Sequence, residues 1–115
     1  MIGIDIISIN RIEKSLKKFD SKIKNRFMTE KEQSIFKKTA SIAGVWATKE
    51  AFSKAIGTGI GKDFNFLDIE ILKNEKGKPY INIINKKLSE QLKNKKIDVS
   101  ITHDGGFAIS AVLII

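Results

Sequence analysis

The stretch Ile97-Asp98-Val99-Ser100-Ile101-Thr102-His103-Asp104-Gly105-Gly106, followed by Phe107-Ala108-Ile109-Ser110-Ala111-Val112-Leu113-Ile114-Ile115, decides the fold. Ile97, Val99 and Ile101 alternate with Asp98, Ser100 and Thr102, the period-two pattern of a strand with one covered face, and Gly105-Gly106 marks a turn. The run from Phe107 to Ile115 is apolar on both faces. A strand of that kind needs two covers, and few residues are left to supply the second, so the sequence points to an oligomer interface.

Outward from this hairpin, Asn85 is placed to cap a helix carrying Leu88 and Leu92. Leu67, Ile69 and Ile71 alternate with Asp68 and Glu70 as a strand, with a turn at Asn74 to Lys78 and a partner strand from Pro79 to Ile84. The pattern before it is helical. A first helix, boxed by Asn10 and Glu13, carries Ile9, Ile12, Leu16, Phe19 and Ile23. A second opens on Thr29 with Glu32 and reaches Phe36, and a third runs from about Ala40 to Ile56, where Gly57 stops it. Ile2, Ile4 and Ile6 alternate with Gly3, Asp5 and Ile7 as a first strand. Strand, three helices, two strands, helix, two strands predicts one α+β domain over residues 1–115, with a largely antiparallel sheet packed against helices.

Hydrophobic content of 42% and charged content of 30% suit a compact globular chain of 115 residues. The absence of cysteine excludes disulfides, thiolate metal sites and a thiol nucleophile, and fits a reducing compartment, with the cytoplasm as default. No apolar run is long enough to span a bilayer. A net charge of +8 attracts anionic partners: nucleic acid, nucleotides or acidic proteins. Phe19, Phe36 and Phe52 fall at buried helical phases, which argues against a nucleic-acid module that would expose aromatics for base stacking.

Five features carry candidate chemistry. Asp5 projects from an isoleucine-rich strand, where a carboxylate wants a cation; a nearby lysine would serve as well as a ligand. Glu50 lies on the third helix with Ala43 and Ala47 on its side, small neighbours that leave room, although an ordinary i,i+4 pair with Lys54 also explains it. Two such carboxylates suit Mg²⁺, which fills its other positions with water and phosphate oxygens. Gly57-Thr58-Gly59-Ile60-Gly61 offers backbone amides beside Lys54 and Lys62, and His103 ends a strand where an imidazole could meet a phosphate. Arg11, Lys14, Lys18 and Lys22 form a basic stripe that is either a solvated face or a dock for an acidic helix. A mere adaptor for acidic proteins would need that stripe but neither Asp5 nor Glu50.

Four collinear stretches together resemble the holo-acyl-carrier-protein synthases, a family of 4'-phosphopantetheinyl transferases. They are Gly3-Ile4-Asp5-Ile6 with Arg11-Ile12-Glu13, Phe27-Met28-Thr29-Glu30-Lys31-Glu32, Trp46 through Ala55 running into Gly57-Thr58-Gly59-Ile60-Gly61, and Ser100-Ile101-Thr102-His103. Phe66 to Ile71 and Gly77-Lys78-Pro79 are similar to that family's strand and turn. The resemblance implies a 4'-phosphopantetheinyl transferase-like fold. It also implies transfer of phosphopantetheine from coenzyme A to a serine of an acidic apo-acyl carrier protein, in support of fatty acid biosynthesis. Asp5 and Glu50 would bind Mg²⁺. Lys54, Ser53, Gly57, Thr58, Gly59 and His103 would contact coenzyme A, and Asp5, Glu50 and Lys54 would carry catalysis. Arg11, Lys14, Lys18 and Lys22 would meet the carrier, and a homotrimer would share its active sites between subunits. Val45 stands where many family members have an arginine that helps hold the nucleotide end, and Thr48 replaces a usual alanine.

Overall fold

The structure, a computed structural model, describes residues 1–115. Strand β1 (Ile2–Ser8) leads into helices α1 (Ile9–Phe19), α2 (Ser21–Phe27), α3 (Glu30–Ile35) and α4 (Thr39–Ile56). After a 3₁₀ turn at Phe66–Asp68 come β2 (Ile69–Lys73), β3 (Pro79–Ile83), α5 (Lys86–Gln91), β4 (Ile97–Asp104) and β5 (Phe107–Ile114). The α+β class holds and every strand pair is antiparallel, but the strands divide into two sheets, β1-β5-β4 and β2-β3.

The expected first helix is two. Its cap is Ser8 rather than Asn10: the Ser8 hydroxyl accepts the Arg11 N–H at 3.3 Å, because β1 runs without a linker into the helix. The helix ends where Asp20, at φ 41, donates its N–H to the Leu16 carbonyl at 2.8 Å. Ile23 and Lys22 therefore belong to α2, and Phe19, expected inside, is 48% exposed with the Lys18 ammonium over its ring. Leu67 likewise falls outside β2. The Asn65 side-chain oxygen accepts the Leu67 N–H at 3.0 Å and the Asp68 carboxylate accepts the Asn65 N–H at 2.9 Å, a capped 3₁₀ turn that delays the strand to Ile69.

Helix α4 is the spine. Ile42, Ala43, Val45, Ala47, Ala51, Phe52 and Ala55 all join the core, and the helix packs against β1 and β5. Ala43 and Ala47 do not make room for a ligand, since both are fully buried. Thr48 reaches β5 with its hydroxyl, which lies 2.7 Å from the Gly44 carbonyl and 2.8 Å from the Ser110 hydroxyl.

Antiparallel register sorts the faces of the larger sheet. Gly3, Asp5 and Ile7 pair with Val112, Ser110 and Ala108 on the face toward α4. Ile2, Ile4 and Ile6 pair with Leu113, Ala111 and Ile109 on the other. That second face is left open: Ile2 is 72% and Ile4 62% exposed. No helix is long and apolar enough to cross a membrane.

Candidate active site

The site forms where β1 crosses α4. Gly3 makes the crossing close: a Cβ built on it would overlap the Ala51 carbonyl oxygen and stand 2.7 Å from the Ala55 amide nitrogen. Two residues on, Asp5 faces the same helix with 15% of its side chain exposed. The Lys54 ammonium, one turn beyond Glu50, donates to Asp5 Oδ1 and to the Ile4 carbonyl, both at 3.1 Å. No Glu50–Lys54 ion pair forms; the lysine serves Asp5 instead. Glu50 is half-buried, and its carboxyl is pushed above the usual carboxylate range, first by burial and then by the charge of Asp5, against the opposing pull of Lys54. Asp5, Glu50 and Lys54 are thus brought together from positions far apart in sequence.

The chemistry of this donor set fits Mg²⁺. Two carboxylates beside one lysine, which pairs with Asp5 alone, keep a surplus negative charge at a partly open position, and no group of three or more His, Cys, Asp or Glu side chains gathers anywhere to hold a more fully protein-ligated ion.

The glycine loop differs from expectation. The N–H groups of Gly57, Thr58 and Gly59 donate back to the Lys54 and Ser53 carbonyls at 3.1, 3.1 and 3.2 Å, and Gly61 N–H donates to Phe64. Gly57 at φ 83 closes α4 as a left-handed cap, so these amides satisfy the helix end and are not free to cradle a phosphate. Ser53 is fully buried and donates its hydroxyl to the Glu50 carbonyl at 2.6 Å. At this helix terminus the dipole is negative, which leaves the Lys54 and Lys62 side chains as the cationic groups near the loop.

His103 is not part of the cluster. It pairs with Ala108, which in turn pairs with Ile7, so β5 lies between it and β1, a separation of roughly 10 Å at ordinary strand spacing. Its side chain is exposed on the face toward α4. Arg11, Lys14 and Lys18 project from α1 and are exposed, whereas Lys22 stands on α2. There it lines a hollow of about 560 Å³ with Phe19, Ile23, Asn25 and Arg26. Val45 is fully buried, so no ligand-binding cation is supplied from its position.

One buried assembly had no signal in hydrophobic pattern. The Lys49 ammonium donates to Glu32 Oε1 at 2.7 Å and to the Phe27 carbonyl at 2.6 Å, with both side chains inaccessible to solvent. Glu32 also accepts the Ile71 N–H at 2.8 Å and the Thr29 N–H at 2.9 Å, and Thr29 passes its hydroxyl to Glu70. Burial lowers the Lys49 pKa, with Glu32 and Glu70 opposing. The Thr29–Glu32 capping box was legible; its second task, anchoring α4 beside Glu50, was not.

A model of the 4'-phosphopantetheinyl transferase superfamily matches residues 1–112. The chain belongs to this superfamily. Holo-[acyl-carrier-protein] synthase of Nautilia profundicola is 51% identical over 115 residues, covering 100% of this chain and 99% of that protein. The Campylobacter fetus protein of the same name is 48% identical over 114 residues, covering 99% and 98%. Among solved structures, the Helicobacter pylori holo-[acyl-carrier-protein] synthase in complex with coenzyme A matches with a TM-score of 0.92 and 46% identity over 99% of each chain. The Bacillus anthracis synthase, in complex with CoA (3',5'-ADP), matches with a TM-score of 0.81 and 42% identity over 98% of this chain and 93% of that one.

Proposed function

We propose that the chain acts as one domain that transfers 4'-phosphopantetheine from coenzyme A to a serine of an acidic apo-acyl carrier protein, releasing adenosine 3',5'-bisphosphate, in the cytoplasm and in support of fatty acid biosynthesis. The observation that carries this reading is the convergence of Asp5, Glu50 and Lys54 at one crossing. The serine oxygen forms a bond to the β-phosphorus as the pyrophosphate P–O bond breaks. The electron pair leaves with the nucleotide.

Asp5 and Glu50 would hold Mg²⁺, which supplies charge stabilisation to the pyrophosphate when bound. Glu50, beside Asp5 and Lys54, takes the serine proton as the general base. Lys54 leaves Asp5 to neutralise the departing phosphate. Gly57, Thr58 and Gly59 keep the approach beside Lys54 low and unobstructed, and buried Ser53 fixes the turn that presents it.

The open sheet face supports a homotrimer as the assembly. Ile2, Ile4, Ile6, Phe107 and Leu113 are exposed apolar groups that another copy would cover, and a shared site would let His103 of a neighbouring copy reach the phosphates that it stands too far from within its own chain. Arg11, Lys14 and Lys18 on α1, with Lys22 at the hollow beside Phe19, suit an acidic carrier helix with an apolar side chain at its centre.

Intact-mass analysis of an apo-carrier mixed with this protein, coenzyme A and Mg²⁺ tests the reading. One phosphopantetheine mass on the carrier, absent without metal, is expected; an unmodified carrier at saturating coenzyme A would overturn it.

A further inference from the structure

We propose that Gly3 is a positioning residue that sets metal specificity: its direct contact with the α4 backbone fixes the spacing of Asp5 and Glu50 to the short reach of Mg²⁺. The inference rests on reading those two carboxylates as the metal pair.

Gly3 is not required by backbone conformation. It is absent from the glycines at positive φ, lies within β1, and is buried in register with Val112. Glycine inside a strand weakens it and often marks a close backbone approach, which here is the overlap that any Cβ would have with Ala51 O and Ala55 N. Those obstacles are main-chain atoms of a buried helix, so no flexible side chain can swing aside. Gly3 stands two residues from Asp5 on the same strand face, and Ala51 directly follows Glu50. Each side of the contact is therefore rigidly joined to one carboxylate.

A methyl group at Gly3 must lift β1 from α4 and widen the gap between the two acids. Mg²⁺ demands oxygens at about 2.0–2.1 Å in near-octahedral array, whereas Ca²⁺ accepts about 2.3–2.6 Å and irregular geometry. A wider pair consequently discriminates against the smaller ion, while a general loss of structure would weaken both alike.

The test is isothermal titration of MgCl₂ and of CaCl₂ into coenzyme A-saturated protein, wild type and Gly3→Ala. We expect Mg²⁺ binding to weaken by about tenfold or more, as for other losses of ligand support, with a smaller loss for Ca²⁺. Equal losses for the two ions, or none, overturn the proposal while leaving the metal assignment intact. Should Gly3→Ala fail to fold, Asp5→Glu in the glycine chain decides: a fixed gap cannot yield to the longer arm, so Mg²⁺ binding falls by about tenfold, and wild-type affinity overturns the proposal. A wild-type chain that binds neither ion, or binding that survives Glu50→Gln, fails the metal reading itself and this inference with it.

Discussion

The Lys49 ammonium lies 2.7 Å from Glu32 Oε1 in a part of the core that solvent does not reach, one residue before the carboxylate assigned to catalysis. Removing one member of such a pair strands the other. Lys49→Met is expected to cost about 3–5 kcal/mol and lower Tm by more than about 10 °C, measured by calorimetry. An unchanged Tm would mean that Glu32 finds other compensation.

Glu50 works against stability. Its carboxylate is partly desolvated beside Asp5, so Glu50→Gln should raise the Tm of metal-free protein by a few degrees while abolishing transfer. Thermal scans in chelator, paired with the intact-mass assay, check both halves. A variant with normal turnover at saturating Mg²⁺ would remove Glu50 from catalysis.

Asp98 carries a pH dependence with a defined sign. The Lys78 ammonium at 2.8 Å and the Val99 N–H at 2.9 Å hold its carboxyl below the ordinary 3.8. Its contribution is present above that ordinary value and is lost as pH falls through the lower folded one. Asp98→Asn should therefore separate from wild type in Tm at neutral pH and converge with it in strong acid.

Charge reversal at Arg11 and Lys18 is expected to raise KM for the carrier by roughly tenfold with coenzyme A binding unchanged. Both side chains are exposed on α1 and neither supports the core. Equal loss of both substrates would remove the helix as a carrier dock.

Leu113 lies opposite Ile2 on the open sheet face, away from the Asp5 cluster. Leu113→Lys should convert the sedimenting species from the proposed trimer to monomer and depress transfer. A trimer that persists would place the interface elsewhere.

The elements that the sequence announced were those fixed by local chemistry. Thr29 with Glu32, Asn85 before Leu88 and Gly57 after Ile56 all sit where caps were expected, because a cap is a contact between near neighbours. Apolar periodicity overran the break at Asp20, since Ile23 keeps helical phase with Leu16 even though the axis changes between them. Small side chains at Ala43 and Ala47 suggest space for a ligand in the sequence, but tertiary packing fills it. Lys49 had no readable role either, because a lone lysine in a helix normally points to water. Asp5 and Glu50 could each be singled out, but only the fold brings them together; likewise, the glycine loop kept its place but not its free amides.

In the proposed homotrimer, the open isoleucine face of β1 bears on the life of the chain before assembly. Under that reading a newly made copy carries an apolar surface that its own kind would mask, and dilution would expose it to proteases and to clumping. Survival then depends on how many copies are present at once, and a cell that makes too few would lose the activity more steeply than the drop in synthesis.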